Sequence, residues 1–194
     1  MLFRSPSDEA VAVPFVPDLE RFDLKGLPVQ TFATSETLKQ ENVSEGDSVF
    51  FIGLMPQFYG TVKNVPVVRK GSLALLTDEP VPTPTGLQRG YICEVGGWQG
   101  NSGSPVFLSL GGVRRNVVFA GEKYLLLGIL ISYYSNSRSA ESVDTATLTV
   151  NDPSNIGLAF VLSSERIKQI LDAPIAQQLR DRDTEEHNRQ SPAR

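Results

Sequence analysis

Short apolar runs, broken at close intervals by turn residues, constrain this chain more than any other feature. Sixteen glycines and thirteen prolines are scattered through 194 residues. Between them lie Ala10–Val16, Ser48–Gly53, Gly60–Val68, Leu73–Leu76, Tyr91–Val95, Pro105–Leu108, Val117–Ala120, Tyr124–Tyr134 and Ile156–Leu162. Most are rich in β-branched or aromatic residues and too short for helices, so each reads as a strand. Strands of this length and spacing fit an antiparallel barrel or sandwich, and the expected class is all-β. Only the end reads as helix. Ser163 or Ser164 can cap it, and Ile167, Ile170 and Leu171 recur at helical spacing. Pro174 interrupts the pattern, Ile175 and Leu179 extend its apolar stripe, and residues 182–194 carry charge without a periodic face, predicting disorder.

Composition bounds the function classes. Hydrophobic residues make up 40% and charged residues 21%, enough to bury a core. The net charge of −4 argues against a nucleic-acid surface. No apolar stretch approaches the ~18 residues of a membrane-spanning helix. The first eight residues, Met-Leu-Phe-Arg-Ser-Pro-Ser-Asp, do not form a signal peptide, so a cytoplasmic location is expected if Met1 is the true start. Cys93 is the sole cysteine and reads as a buried strand residue. No Cys, His and carboxylate cluster has metal-ligand spacing, and no phosphate-binding Gly-Lys-Ser/Thr loop occurs, so neither metal nor cofactor is expected.

The chemistry concentrates in Gly100-Asn101-Ser102-Gly103-Ser104-Pro105. Glycines on both sides let the backbone turn sharply around Ser102 and approach a substrate closely. The N–H groups of Gly100 and Ser102 can then point at one spot where an oxyanion develops. A serine hydroxyl also needs an adjacent base. The only histidine is His187, in the charged tail. A lysine base, Lys70 or Lys123, is a weak alternative, since neither sits in a clearly apolar setting.

The 100–105 stretch resembles the nucleophile motif of trypsin-like serine proteases. Four further segments match that family in order. Asp8–Val13 resembles the strand start that carries the triad aspartate. Ser44–Gly53 is similar to the opening of the second barrel in bacterial HtrA-like members. Gly128–Tyr134 resembles the strand after the nucleophile, whose edge pairs with substrate. Asn155–Val161 is similar to the closing strand before the C-terminal helix. The resemblance implies a double β-barrel with a complete second barrel, a partial first barrel and a C-terminal helix. Its parts would be residues 1–34 (first-barrel remnant), 35–46 (connection), 47–162 (second barrel), 163–181 (helix) and 182–194 (tail).

By the same resemblance Ser102 is the nucleophile, Asp8 orients a histidine, and Gly100 and Ser102 form the oxyanion hole. Ser132, Tyr133 and Tyr134 line the substrate edge. Gly96 falls where trypsin has a pocket-floor carboxylate, and Tyr134 falls where a small residue keeps the pocket open. Together they imply a preference for small or apolar side chains. The family's histidine precedes its aspartate, and none precedes Asp8 here, so the chain is expected to be truncated upstream. The expected activity is serine-type endopeptidase action on a peptide or protein, weak in this chain alone. The alternative is a pseudoprotease that holds peptides or a partner in a degenerate cleft.

Overall fold

The computed structural model describes residues 3–4, 9–15, 17–55, 58, 60–97, 100–114, 117–136 and 154–190. Its centre is a closed antiparallel barrel of six strands: β1 (Ser48–Leu54), β2 (Pro66–Leu75), β3 (Gly90–Glu94), β4 (Pro105–Ser109), β5 (Tyr124–Asn136) and β6 (Ser154–Ser163). Around the barrel the order is β5-β6-β3-β2-β1-β4, and β4 pairs back onto β5. Closure leaves no strand of this sheet with an unpaired edge along its full length.

Alternation along β1 explains why its sequence makes a barrel strand. Val49, Phe51 and Gly53 are buried, while Ser48 and Leu54 are exposed. Val49 and Phe51 join Leu73, Val106, Leu108, Leu127, Leu130 and Val161 in the barrel interior. Gly71 and Gly128 lie where strands press together. A Cβ on Gly128 would stand 1.9 Å from the Leu162 carbonyl oxygen, and one on Gly71 would stand 1.9 Å from that of Glu94. Strand β6 is buried on both faces. Ala159 and Val161 point into the barrel, while Phe160 and Leu162 join a second cluster with Ala10, Val81 and Ile170.

That outer cluster lies beneath α2 (Ser164–Asp172), whose N-cap is Ser163. The Ser163 hydroxyl accepts from the Arg166 N–H at 3.3 Å. Ser164 Oγ donates to the Ala33 carbonyl at 3.0 Å, and Glu165 accepts from both the N–H and the hydroxyl of Ser35. These bonds tie α2 to the segment that precedes the barrel.

Several elements differ from the sequence expectations. The 10–16 run forms only a two-residue strand, Val11–Ala12, paired with Phe3–Arg4. The run at 60–68 and the run at 73–76 are not two strands. One long strand, β2, begins at Pro66 and absorbs the second. A segment that shows no apolar run, around Pro80, Pro82 and Pro84, holds a small ribbon, Val81–Thr83 with Gly86–Gln88. The 35–46 connection contains a helix, α1 (Ser35–Gln40), capped by Thr34 and anchored by buried Leu38. Residues 182–190 are helical rather than disordered, because α3 runs from Pro174 to Gln190. Buried Ala176 and Leu179 anchor its first half. Its second half carries exposed Arg182–Glu186 and Glu185–Arg189 pairs at helical spacing. Pro174 stands at the first position of α3, where its missing N–H costs nothing.

Candidate functional site

Ser102 stands on a tight turn between the β3 end and β4. Gly100 has φ +97° and Gly103 has φ +88°, backbone that a side chain resists. Asn101 is the foot of the turn. It is 1% exposed, and its Nδ2 donates to the Leu54 carbonyl at 3.0 Å. The Ser104 N–H closes the turn on the Asn101 carbonyl at 3.0 Å. Gly53 lies directly under this foot. A Cβ there would stand 2.7 Å from Ser104 Oγ and 3.0 Å from Asn101 Nδ2. Ser102 itself is exposed.

On the other side, the turn is stitched to β5. The Gly103 N–H donates to the Leu130 carbonyl at 2.7 Å, and the Leu130 N–H donates to the Ser104 carbonyl at 2.9 Å. Beyond Leu130 the β5 register slips: Leu130 faces Val161, yet Ser132 faces Phe160. Ile131 is the extra residue of a β-bulge, which leaves its backbone outside the regular ladder. Its carbonyl accepts the Ser102 hydroxyl at 2.8 Å. Among the described residues, no hydrogen bond engages the N–H of Gly100 or of Ser102. Both donors of the expected oxyanion hole are therefore uncommitted.

The bulge also re-aims the strand. Strict alternation from inward-facing Leu130 would turn Tyr134 inward and Tyr133 outward. The extra residue reverses this. Tyr133 pairs with Ala159 and packs on the barrel interior, whereas Tyr134 packs on the outer cluster. The Tyr134 hydroxyl donates to the Pro82 carbonyl at 2.8 Å. The ring that stands against Gly97 is thus Tyr133, and Tyr134 is turned to the outer cluster. A Cβ on Gly97 would stand 1.6 Å from the Tyr133 hydroxyl. Ser132 is half-buried beside the bulge.

Gly96 has a neighbour that sequence reasoning missed. Arg69 of β2 pairs across the sheet with Phe51, whose side chain is wholly inside the barrel. Directly opposed residues share a face, so Arg69 points toward the barrel mouth. Its Nη2 would stand 2.7 Å from a Cβ on Gly96. The Arg69 charge also opposes the effect of burial on Tyr133, whose phenol burial pushes up to about 12.

Neither lysine forms a dyad with Ser102. Lys123 is ion-paired with Glu41, and Lys70 pairs across from outward-facing Phe50 on the far side of β2. His187 lies in α3, and Asp8 falls outside the described residues. Among the described residues, no three His, Cys, Asp or Glu side chains gather into a metal-holding group. No described helix is long and apolar enough to cross a membrane. An open groove of about 1080 Å³ flanks the site between 21–24 and 60–66, with Leu54 in its wall. The chain matches no protein-family model, no curated protein and no solved structure.

Proposed function

We propose that this barrel is the nucleophile-bearing half of a trypsin-like serine endopeptidase, the second barrel of a double-barrel fold. The observation that carries the reading is the Ser102 turn. An exposed serine sits between two glycines in left-handed backbone, on a buried asparagine foot, with two uncommitted N–H donors beside it.

The chemistry follows from that arrangement. A base removes the Ser102 proton as Oγ attacks the scissile carbonyl carbon. The carbonyl electron pair moves onto oxygen, and the Gly100 and Ser102 N–H groups stabilise the resulting oxyanion. Collapse expels the amine, which takes the proton from the base and leaves an acyl-enzyme. Water then attacks the ester, and Oγ recovers its proton. The Ile131 carbonyl holds the resting hydroxyl but cannot serve as the base. We assign the base to a segment outside these 194 residues, docked against the exposed apolar side chains of the N-terminal segment. Phe15 and Leu19 there are 69% and 70% exposed. A second reading, a peptide-binding pseudoprotease, draws on the Ser102 hydroxyl's only described partner being a carbonyl.

Labelling with a fluorophosphonate probe, read by peptide mass spectrometry, separates the two. The expected result is slow modification at Ser102, lost in Ser102→Ala and accelerated by added imidazole. Imidazole would restore part of the about 10²–10⁴-fold that a positioned base provides. Modification no faster at Ser102 than at other exposed serines sinks the peptidase reading and leaves the binding module.

A further inference from the structure

We infer that the groove around Tyr91 binds a primary ammonium on an apolar stem, carried by a free alkylamine or by a lysine side chain. The inference goes beyond the reading of Ser102 and does not rest on it, since no residue of the Ser102 turn lines the groove.

Three observations meet there. First, two cavities share one waist. One of about 410 Å³ is walled by α1, one of about 170 Å³ is walled by the start of α2, and Ser35, Thr77, Asp78 and Tyr91 line both. Leu38, Val43 and Leu76 give the larger one an apolar wall. Second, Tyr91 is 6% exposed, yet its hydroxyl makes no hydrogen bond among the described residues. Unlike the Tyr133 hydroxyl it is not sealed, and its residue lines both cavities. A buried hydroxyl without a partner costs free energy that a ligand in the groove recovers. Third, the smaller cavity sets two carboxylates beside that phenol. Glu165 accepts both Ser35 bonds through Oε2, which leaves Oε1 without a partner among the described residues. The Asp78 carboxylate makes no hydrogen bond among them either, and only its backbone carbonyl is engaged, by Arg89 Nη1 at 3.4 Å. Burial, and after it the negative charges of Glu165 and Asp78, push the phenol up to about 12. The hydroxyl therefore stays neutral, and both carboxylates stand close enough for their fields to reach it.

A phenol oxygen and two carboxylates around one chamber match an ammonium. It carries three N–H donors and no acceptor, and its bonds to carboxylates are charge-assisted. A carboxylate or phosphate in the same place meets like charges. The neighbouring cations do not offset this. Lys39 and Arg89 are exposed, where water weakens their fields, and Arg166 Nη1 donates to Gln169 Oε1 at 2.5 Å. The larger cavity takes the stem. An unbranched chain laid along Leu38, Val43 and Leu76 buries its apolar surface while the charged head stays at the waist.

The test varies the head on a constant stem. Pentylamine, pentanol and pentanoate are titrated into the full chain and followed by proton–nitrogen correlation spectra, which locate the site as well as measure affinity. Pentylamine is expected to bind about tenfold tighter than either twin, with its shifts gathered on α1, α2 and β3. Tyr91→Phe removes a hydroxyl that has no internal partner, so it is expected to fold as the parent does and to weaken pentylamine. Asp78→Asn is expected to shrink the preference for the amine over the alcohol. Equal affinity for amine and alcohol in the unmodified chain overturns the inference without relying on any variant's folding. So does tighter binding of pentanoate, or a pentylamine affinity unchanged in folded Tyr91→Phe. Acetyl-Gly-Lys-Gly-amide then identifies the source. Binding as tight as that of pentylamine assigns the ammonium to a partner protein's lysine, weaker binding assigns it to a free amine, and both uphold the preference for the head group.

Discussion

Asn101 exchanges one atom when it becomes aspartate, and the exchange reverses its role toward Leu54. The amide Nδ2 donates to the Leu54 carbonyl at 3.0 Å from a side chain that is 1% exposed. In Asn101→Ala that carbonyl loses its donor, a loss of about 1–3 kcal/mol for a buried acceptor. Leu54 is 36% exposed, so water partly replaces the amide and the lower half of that range applies. The space left by the side chain adds about 1 kcal/mol. The expected total is about 2–3 kcal/mol. In Asn101→Asp the carboxyl is buried against a carbonyl oxygen, and both effects raise its pKa above the ordinary ~3.9. A group raised in the folded state contributes stability that is intact below its unfolded pKa and fades as pH rises through the folded value. The aspartate variant is therefore expected to approach the parent near about pH 4 and to fall steadily behind it toward neutrality. Urea unfolding followed by circular dichroism at several pH values measures this, with fluorophosphonate labelling of Ser102 run alongside. An aspartate variant as stable as the parent at neutral pH, or one that suffers most in acid, would refute the view of Asn101 as a donor foot beneath the turn.

Three further outcomes follow from groups outside the turn. Cys93 is fully buried, and burial pushes its thiol up to about 12, so an aromatic disulfide reagent is expected to titrate it only after denaturation. Fast reaction of the native protein at neutral pH would contradict the closed barrel. Burial also raises the Tyr91 and Tyr133 phenols to about 12, so their folded values exceed the ordinary ~10. Stability held below about pH 10 should fade as pH climbs through about 12, and an alkaline absorbance titration should show these phenols ionising last. Arg114 meets Asp47 through Nη2 at 2.7 Å and Nε at 3.1 Å, both side chains being about a tenth exposed. Truncating either alone to alanine is expected to cost about 3 kcal/mol, with the double variant less destabilised than the sum of the two in a thermodynamic cycle.

Short apolar runs between turn residues made most of the barrel legible. The runs at 48–53, 105–108, 124–134 and 156–162 lie within barrel strands, and the run at 91–95 covers all of β3 but Gly90 and passes its end by one residue, because strands buried on one face or both must be apolar there. Strand β2 was obscured where Arg69, Lys70 and Ser72 break the apolar pattern, and the partner strands rather than its own residues define it. The α1 helix buries one residue, Leu38, so it carries no periodic stripe. Thr34 followed by Ser35 and Glu36 was the readable signal, a cap with an acidic first turn. The 182–190 helix is held by its own charge spacing and by its continuity with anchored residues, and a search for an apolar face passes over it. At the site, the glycines and Ser102 were legible because the turn's demands are local. Arg69 was not. Its significance comes from standing opposite Phe51 across a pairing between residues eighteen positions apart (69 − 51).

The bulge at Ile131 sets a phase. On one side of it Leu130 faces Val161, and on the other Ser132 faces Phe160 and Tyr133 faces Ala159. Loss of Ile131 would therefore join two stretches that are already in step with β6, and Tyr133 would keep its place on the interior. What would go is the one carbonyl that holds the Ser102 hydroxyl. The extra residue is spent on the serine, not on the lining beside it.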